Sequence, residues 1–303
     1  PPLKCCESTT DSYYGDMSTI ARHVLPRVLD ALKDTRIVAI QGARQVGKTT
    51  LVSDIVSSHR GRLLSFDDEQ VLAFAKADPI GFLRHDDGLL AIDEVQRAPE
   101  LVPALKYVVD RDRRPGRFLI TGSADLLRLP SAQDSLAGRL ERIELHSFSQ
   151  GELAGHIETF IDRILSGEHL VTHPSDLTRA DYLQRAIAGG YPEALSRPAG
   201  RRRDAWLDSY VDGIVKRDAR EIGRVQRVER LPQLLRLLAA QDSEELNIAD
   251  IATRMEVPAT SVHRLVDLVE TMYLTQRIPA WSTNFSKRAV TRPKISFLDT
   301  GLA

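Results

Sequence analysis

The chain of 303 residues is too long for one small domain, and its 42% hydrophobic and 27% charged residues are ordinary for a folded, water-soluble protein. The formal net charge of -1 excludes a globally basic surface, so any basic surface must be local. We find no apolar run of bilayer length and no secretory signal pattern, and we therefore expect a cytoplasmic protein without membrane association. The adjacent Cys5 and Cys6 suit neither a disulfide framework nor a tetrahedral zinc site.

The first stretch of the chain carries little chemistry. Residues 1–16 are polar and aperiodic, and we interpret them as a tail or an artificial extension before a natural start at Met17. Apolar residues with helical spacing over residues 19–34 predict a short amphipathic helix. An apolar run at residues 36–40 then predicts a strand, and helical spacing resumes over residues 50–56. The segment between this strand and this helix is the first informative one.

Residues 42–49 read Gly-Ala-Arg-Gln-Val-Gly-Lys-Thr and fit the phosphate-binding pattern with a terminal Gly-Lys-Thr. Glycines let backbone N–H groups turn inward around phosphate oxygens, and the N-terminus of the next helix favours an anion. We expect Lys48 to reach the outer phosphates and Thr49 to offer its hydroxyl to Mg²⁺. A chance glycine-rich turn is the alternative, but the flanking strand and helix argue against it. The residues predicted to bind nucleotide here are Gly42, Ala43, Arg44, Gln45, Val46, Gly47, Lys48, Thr49 and Thr50.

Two carboxylates end the third predicted strand. A strand is predicted at residues 62–66, and the continuous apolar run at residues 88–92 predicts another that is buried on both faces. Asp93 is expected to position Mg²⁺, and Glu94 to orient and polarise the water that attacks the terminal phosphate. An isolated Asp-Glu pair more often caps a strand or begins a helix. We favour the catalytic interpretation because the phosphate-binding pattern precedes the pair.

A hydroxyl-bearing residue follows the next predicted strand, at residues 118–121. Ser123, with Thr121 as its rival, is expected to hydrogen-bond the attacking water or the terminal phosphate. The alternative is an ordinary turn, for which Gly and Ser are also suited.

Arg139 precedes a strand predicted at residues 142–145 and is a candidate arginine finger. Such a residue stabilises charge on the transferring phosphoryl group, from within the chain or from a neighbouring subunit. Arg142 is the second choice, and an exposed or carboxylate-paired arginine is the alternative for both.

The alternation of strands and helices up to this point predicts an α/β fold. Its parallel sheet should carry helices on both faces, with ligands bound at the carboxyl ends of the strands. All of the candidate site residues at strand ends are compatible with that location.

The second half of the chain has a helical pattern. One helix is predicted over residues 153–165, a second over residues 182–187 that stops at Gly189-Gly190-Tyr191-Pro192, and a longer one after the arginines at 201–203. Residues 231–240 are strongly helical as well.

The end of the chain suggests a helix-turn-helix. Residues 247–270 divide into two short helices around Val257-Pro258, and residues 273–274 and 277–278 are candidate wing strands. The tail from residue 277 is basic, because it has a single acid, Asp299, and the basic residues Arg277, Lys287, Arg288, Arg292 and Lys294.

Several of these stretches together resemble one family. Residues 42–49, 91–96, 119–123 and 136–139 are similar to bacterial and archaeal AAA+ superfamily ATPases. The subgroup carries a C-terminal uncharacterised domain that is partly winged-helix and partly restriction-endonuclease-like. The later stretches that look like this subgroup are residues 189–193, 209–211, 217–218 and 293–302, so the resemblance covers nearly all of the chain after Met17.

The resemblance implies an AAA+ P-loop core that uses ATP and Mg²⁺, with a helical lid and a C-terminal winged helix-turn-helix. It divides the chain into the ATPase core at residues 17–165, the lid or linker at residues 166–240, and a last part at residues 241–303. That last part would hold the winged helix and a truncated start of the nuclease-like domain. Members of the family continue well beyond the Asp-Thr-Gly-Leu motif, so we expect no nuclease activity from this sequence.

Within the lid, the resemblance places Tyr191 or Pro192 against the adenine base. A simple helix stop is the alternative for the Gly-Gly-Tyr-Pro stretch.

Two functions follow from these observations. The first is Mg²⁺-dependent ATP hydrolysis that moves the helical and winged-helix modules relative to the core. The second is a DNA-binding regulator in which ATP is a slowly hydrolysed or unhydrolysed conformational ligand. The predicted reading helix offers Arg264, but Asp267 and Glu270 offset its charge, which is a poor footprint for DNA. ATP and ADP are thus the expected ligands, a DNA or a protein partner is open for the winged helix, and assembly into a homo-oligomer is open.

Overall fold

The computed structural model describes residues 20–85, 88–122, 136–169, 176–222, 228–284, 286, 288 and 291–303. The strands are β1 (Ile37–Gln41), β2 (Gly61–Ser65), β3 (Leu89–Asp93), β4 (Phe118–Gly122), β5 (Leu140–Glu144), β6 (Thr275–Ile278) and β7 (Lys294–Phe297). The α-helices of the first half are α1 (Leu25–Asp34), α2 (Lys48–Ser58), α3 (Glu69–Ala77), α4 (Pro79–Leu83), α5 (Leu101–Arg111), α6 (Gln150–Ala154) and α7 (Phe160–Leu165). Those of the second half are α8 (Arg179–Ala188), α9 (Pro192–Leu195), α10 (Arg201–Ile222), α11 (Leu231–Ala239), α12 (Ile248–Met255) and α13 (Ala259–Thr271). Short 3₁₀ turns lie at Val95–Arg97, Val228–Arg230 and Thr300–Leu302.

Strands β1 to β5 form one parallel sheet in the order β2-β3-β4-β1-β5. The three inner strands β3, β4 and β1 are buried along their whole length, as continuous apolar runs predict. Gln41 at the end of β1 lies beside Gly122 at the end of β4, so the carboxyl ends of these strands meet at one edge. The predicted parallel sheet is confirmed, and its carboxyl edge is where the phosphate-binding stretch begins.

Successive residues of each inner strand point to opposite faces of the sheet, and each face has its own apolar cluster. Val38, Ile40 and Leu119 belong to the cluster that packs against α1 and α2. Ile37, Ala39 and their neighbours on β3 and β4 belong to the cluster that packs against α3, α4 and α5. Helices therefore cover both faces. Among the helices in the described part of the chain, none combines the length and the apolar character that crossing a membrane needs.

The single helix predicted over residues 153–165 is wrong. The structure has α6 and α7 instead, because Gly155 ends α6 in the left-handed conformation with φ of 71°. The apolar residues behind the prediction are largely exposed, namely Ile157 (75%), Ile161 (63%), Ile164 (47%) and Leu165 (79%). The spacing of these residues is helical, but they do not form a buried helix face.

The last part of the chain consists of α11, α12 and α13, followed by the antiparallel pair β6 and β7. Thr275 lies opposite Phe297 and Ile278 opposite Lys294. Of the two candidate wing strands, residues 277–278 lie in β6, whereas residues 273–274 lie in no strand. The partner of β6 is β7, which comes from the basic tail. The apolar side chains of these helices join the same cluster as α1 and α2. This module is thus packed on the side of the sheet that carries α1 and α2.

Asp299 joins the two ends of the second half of the chain. Its carboxylate accepts hydrogen bonds from the backbone N–H of Gly190 at 2.8 Å and of Gly301 at 2.9 Å. A Cβ on Gly189 would lie 2.1 Å from Asp299 Oδ1, so only glycine fits there. Burial raises the pKa of Asp299, whereas hydrogen bonds from the Ser147 hydroxyl and the two N–H groups act in the opposite direction. The Gly-Gly-Tyr-Pro and Asp-Thr-Gly-Leu stretches are therefore in direct contact.

The substitution Asp299→Ala should destabilise the fold, because the Gly190 and Gly301 N–H groups would lose their acceptor away from water. We expect a loss of roughly 2 kcal/mol, which corresponds to a melting temperature lower by about 3 °C for a chain of this size. Thermal unfolding followed by circular dichroism measures this shift. The matched control is Asp208→Ala, which removes an exposed carboxylate of α10. An equal melting temperature for the two variants would contradict a stabilising role of the Asp299 hydrogen bonds.

Candidate nucleotide site

The backbone of residues 42–49 has a shape that glycine makes possible. A Cβ on Gly42 would lie 2.0 Å from the carbonyl oxygen of Leu145, which follows β5. Gly47 precedes α2 with φ of 94°, and Gln45 also lies in the left-handed region, with φ of 60°. This turn carries the chain from the end of β1 into the start of α2. The N-terminus of α2 therefore faces the edge where β1, β3 and β4 end.

Lys48 is buried and lies inside this loop. Its ammonium donates hydrogen bonds to the carbonyl oxygens of Gly42 at 3.0 Å and Ala43 at 2.7 Å. The side chain thus curls back along the loop, where it fixes a positive charge beside the N–H groups. This is the position from which the predicted contact with the outer phosphates would be made.

Asp93 is held between two threonines. Thr49 donates its hydroxyl to Asp93 Oδ2 at 2.8 Å, and Thr121 at the end of β4 donates to Oδ1. The carboxylate is 3% exposed, so these two hydrogen bonds fix its orientation in a shielded position. Thr121, the rival for the water-binding role, therefore contacts Asp93 directly. Ser123, the preferred candidate for that role, lies outside the described residues.

Oxygen ligands for Mg²⁺ are present at this point. The Thr49 hydroxyl and the Asp93 carboxylate are hard donors next to the loop, as the predicted metal role requires. The described residues contain no cluster of three or more His, Cys, Asp or Glu side chains that could hold an ion by themselves.

Glu94 has an unusual backbone. Its φ is 57° and its ψ is 42°, the left-handed region that non-glycine residues rarely adopt, at a cost of about 1–3 kcal/mol. The Glu94 N–H donates to the Thr121 hydroxyl at 3.2 Å, and the carboxylate accepts a hydrogen bond from the side chain of Gln96. These contacts fix Glu94 where it leaves β3. Such local strain is typical of functional positions.

A cavity of about 810 Å³ collects these groups. Lys48, Thr49 and Glu94 line it, as do Thr50 and Pro192. Its volume is within the range of small-molecule sites in proteins. The structure therefore brings together the predicted phosphate-binding Lys48 and Thr49 and the predicted base Glu94, with Pro192 in the same lining.

Tyr191 does not line this cavity. It is 2% exposed, and its ring packs against Trp206 and Tyr210 of α10 at centroid distances of 5.8 and 4.7 Å. Burial is the main reason why its pKa is raised well above the ordinary value for tyrosine. Of the two residues expected near the adenine, Pro192 alone lies at the cavity wall, while Tyr191 belongs to the core beneath it.

Arg139 lies at the wrong end of its strand for a contact with nucleotide within this chain. It precedes β5, and its backbone carbonyl accepts a hydrogen bond from the N–H of Ile37 at the start of β1. The guanidinium instead binds Asp110 through two hydrogen bonds, of 2.6 and 2.9 Å. Because the loop sits at the opposite edge of the sheet, an arginine finger acting within the chain is excluded, and a role in a neighbouring subunit stays a prediction. Arg142, the second choice, lies within β5 with an exposed side chain.

Arg22 is a site residue that the sequence did not point to. Its guanidinium donates to the carbonyl of Val46 at 2.8 Å and to that of His146 at 2.6 Å, and pairs with Glu152 at 3.0 Å. Burial is the main influence on its pKa and lowers it, while Glu152 acts in the opposite direction. Arg22 also lines the cavity. Nothing in the spacing of its neighbours indicates this role, since all of its partners are distant in sequence.

Two tyrosines contact the loop from the second half of the chain. The Tyr210 hydroxyl of α10 donates to the carbonyl of Arg44 at 3.0 Å, and lies 3.1 Å from the Tyr191 hydroxyl. The Tyr273 hydroxyl, between α13 and β6, donates to Gln41 Oε1 at 3.0 Å. Both contacts are buried or half-buried. The loop is thus in direct contact with α10, and the strand end directly before it with the C-terminal module.

Comparisons with known proteins agree with this geometry. The family model described as "AAA domain" matches residues 34–154, and the one described as "Domain of unknown function (DUF8612)" matches residues 179–303. Two curated relatives, uncharacterized proteins Rv2008c of Mycobacterium tuberculosis and Mb2031c of Mycobacterium bovis, are each 30% identical over 281 residues. The match covers 93% of this chain and 58% of each relative, so the chain spans little more than half of their length.

One solved structure of similar fold is the Walker-type ATPase paby2304 of Pyrococcus abyssi, with a TM-score of 0.58. The match covers 93% of this chain and 94% of that chain at 13% identity, which shows a shared fold alone. Residues 34–154 are thus similar to the "AAA domain" family, and the chain shares its fold with a Walker-type ATPase.

Proposed function

We propose that the chain binds ATP with Mg²⁺ and hydrolyses it, and that the state of the nucleotide is transmitted to the helices of its second half. One observation carries the proposal: Lys48, Thr49 and Glu94 line one cavity, and Thr49 is hydrogen-bonded to Asp93. These are the groups that nucleotide hydrolysis in P-loop proteins requires. The finer roles below are proposals that rest on this juxtaposition.

Each side chain has a distinct role in the proposed reaction. Lys48 would exchange the carbonyl oxygens of Gly42 and Ala43 for phosphate oxygens, which keeps its charge hydrogen-bonded throughout. Thr49 and Asp93 would hold Mg²⁺, and the bound ion supplies neutralisation of phosphate charge. Thr121 keeps the Asp93 carboxylate oriented, and is a positioning residue in this scheme.

Glu94 would take the role of the base. Its strained backbone and its hydrogen bond from Gln96 hold the carboxylate at the cavity, on the side of Thr49 and Lys48. From there it accepts a hydrogen bond from water and aligns an oxygen lone pair with the terminal phosphate.

The proposed output passes through the tyrosine contacts. Tyr210 binds the carbonyl of Arg44, and Tyr273 binds the side chain of Gln41, directly before the loop. A change in loop shape when phosphate binds must alter both hydrogen bonds or move both tyrosines. Since Tyr210 belongs to α10 and Tyr273 follows α13, the second half of the chain would move with them.

The alternative function, an ATP-switched DNA-binding regulator, has less support. Arg277 on β6 is bound to Asp267 at 2.7 Å and to Glu270, both on α13. The cation that would flank the predicted reading helix is therefore neutralised inside the module. Lys287, another cation proposed for DNA, lies outside the described residues. We accordingly place hydrolysis first and keep the winged-helix interpretation of this module as a proposal.

Substitutions at Lys48 and Glu94 should separate binding from turnover. Lys48→Ala should lose ATP binding, because the phosphates lose their main cation. Glu94→Gln should bind ATP as the parent does, but hydrolyse it roughly 10²–10⁴-fold more slowly, because the amide cannot act as a base. Calorimetric titration with ATP and phosphate release measure the two properties.

The control for this pair is Glu100→Gln, an exposed glutamate ahead of α5. It should hydrolyse ATP like the parent. Unchanged turnover in Glu94→Gln would show that another residue is the base, and unchanged ATP binding in Lys48→Ala would remove the basis of the proposed site.

Tyr273→Phe should uncouple the C-terminal module from the nucleotide while leaving its packing intact, since the change removes one hydroxyl. Hydrogen exchange over residues 248–271 should become slower or faster when ATP binds to the parent, and this response should shrink in the variant. We also expect ATP affinity to change by about fivefold, the size of one net hydrogen bond.

Tyr107→Phe is the matched control, because Tyr107 is 44% exposed on α5. The proposed transmission would be contradicted if hydrogen exchange over residues 248–271 in the parent protein did not change when ATP binds. It would also be contradicted if Tyr273→Phe showed the same change in exchange as the parent.

A further inference from the structure

A second concave surface lies at the amino edge of the sheet, opposite the nucleotide site. Three loops meet there, from α2 to β2, from α4 to β3 and from α5 to β4, because the amino ends of parallel strands share one edge. Two adjoining cavities of about 500 and 330 Å³ run along them. Both are lined by Arg60, Gly88 and Leu89, so they form one continuous groove.

The lining of this groove is strongly basic. We call it the arginine groove and define it by its cationic and imidazole side chains, which are His59, Arg60, Arg62, Arg84, His85, Arg114 and Arg117. The chain as a whole has a net charge of -1, so this concentration of arginine is local. No aromatic side chain other than the two histidines is part of the described lining.

Three of these arginines have no anionic partner in the described part of the chain. Asp112 is paired with Arg114 at 2.7 Å and with Arg117 at 3.0 Å. The hydrogen bond from Arg114 holds the pKa of Asp112 well below its usual range. Arg60, Arg62 and Arg84, by contrast, are exposed and make no side-chain ion pair or hydrogen bond to the described residues. Residues 86–87, which are aspartates, lie outside the described part.

We propose that the arginine groove binds the phosphate backbone of duplex nucleic acid without reading its sequence. Guanidinium groups pair with phosphate oxygens through two hydrogen bonds, and they do so better than ammonium groups. The unpaired arginines come from two separate segments, namely residues 60–62 at the start of β2 and Arg84 after α4, so they suit successive phosphates better than one small anion. Single strands usually need aromatic platforms on which bases stack. Because the described lining of the groove has no such rings apart from the two histidines, it suits the phosphate backbone of a duplex.

The proposal is independent of ATP hydrolysis and of the predicted reading helix α13. It places the contact on the AAA+ domain itself, at the edge of the sheet away from the phosphate loop. Arg264 of α13 serves to distinguish the two locations, because a DNA contact through α13 would depend on it.

The test is fluorescence anisotropy of a labelled duplex of about 20 base pairs with unrelated sequences, at increasing salt and with the whole chain. Neutralising three phosphates predicts a slope of about -2.7 for log affinity against log salt. The double substitution Arg60→Ala with Arg62→Ala should weaken binding at least tenfold and make the slope shallower by about 1.8. Arg264→Ala should leave the affinity within about twofold, because it lies outside the groove.

Arg201→Ala with Arg202→Ala is the matched control, since it removes two exposed arginines at the start of α10. It should keep the parental affinity and slope. ATP affinity of the groove variant should equal that of the parent, which verifies its fold and keeps the outcome separate from the proposed ATPase.

Four results would overturn the proposal: no duplex binding, equal weakening in the groove and control variants, loss of binding in Arg264→Ala, or full competition by polyglutamate at equal charge. The last result would assign the groove to an acidic protein partner.

Discussion

The carbonyl oxygens of the phosphate loop set a constraint that much of this structure satisfies. A loop that turns its N–H groups toward phosphate directs its carbonyls toward protein, and buried carbonyls need donors. Lys48 supplies those of Gly42 and Ala43, Tyr210 that of Arg44, and Arg22 that of Val46. The segment ahead of α1, the loop's own helix and α10 therefore all hold the loop. A change at any of these three places would alter the shape of the loop.

The buried charge of Asp93 is satisfied by hydrogen bonds in the same way as the loop carbonyls. A carboxylate with 3% exposure is costly unless its oxygens accept hydrogen bonds, and two threonines from different elements supply them. Thr49 belongs to α2 and Thr121 to β4, so the carboxylate links the phosphate-binding helix to the central sheet. The N–H of Glu94 uses the same Thr121 hydroxyl. The proposed metal ligand and the proposed base thus both contact the Thr121 hydroxyl, which the sequence suggested only as a rival for binding the attacking water or the terminal phosphate.

The sequence predicts the part of the site that depends on local chemistry. Gly42 to Thr49, Asp93 and Glu94 could be identified because glycine freedom, strand burial and carboxylate position act within a few residues. Arg22 and Tyr273 could not, since their partners are brought near only by the folded chain. The sequence could not show that Arg139 lies away from the loop of its own chain, because that depends on which edge of the sheet it faces. The helix predicted through Gly155 failed because periodicity registers apolar spacing but not the left-handed end of α6.

The two faces of the sheet carry separate layers of side chains. The cluster formed by α1, α2 and the C-terminal helices is continuous, so a displacement of α2 would be transmitted into packed side chains of the second half. In the described part of the chain, the cluster of α3, α4 and α5 on the other face shares no buried side chain with it. Arg84 follows α4 and Arg114 follows α5, whereas Arg60 follows α2, so the arginine groove is attached to both layers. The proposed nucleotide-driven motion and the proposed phosphate-backbone contact therefore meet at the end of α2, where Arg60 lies.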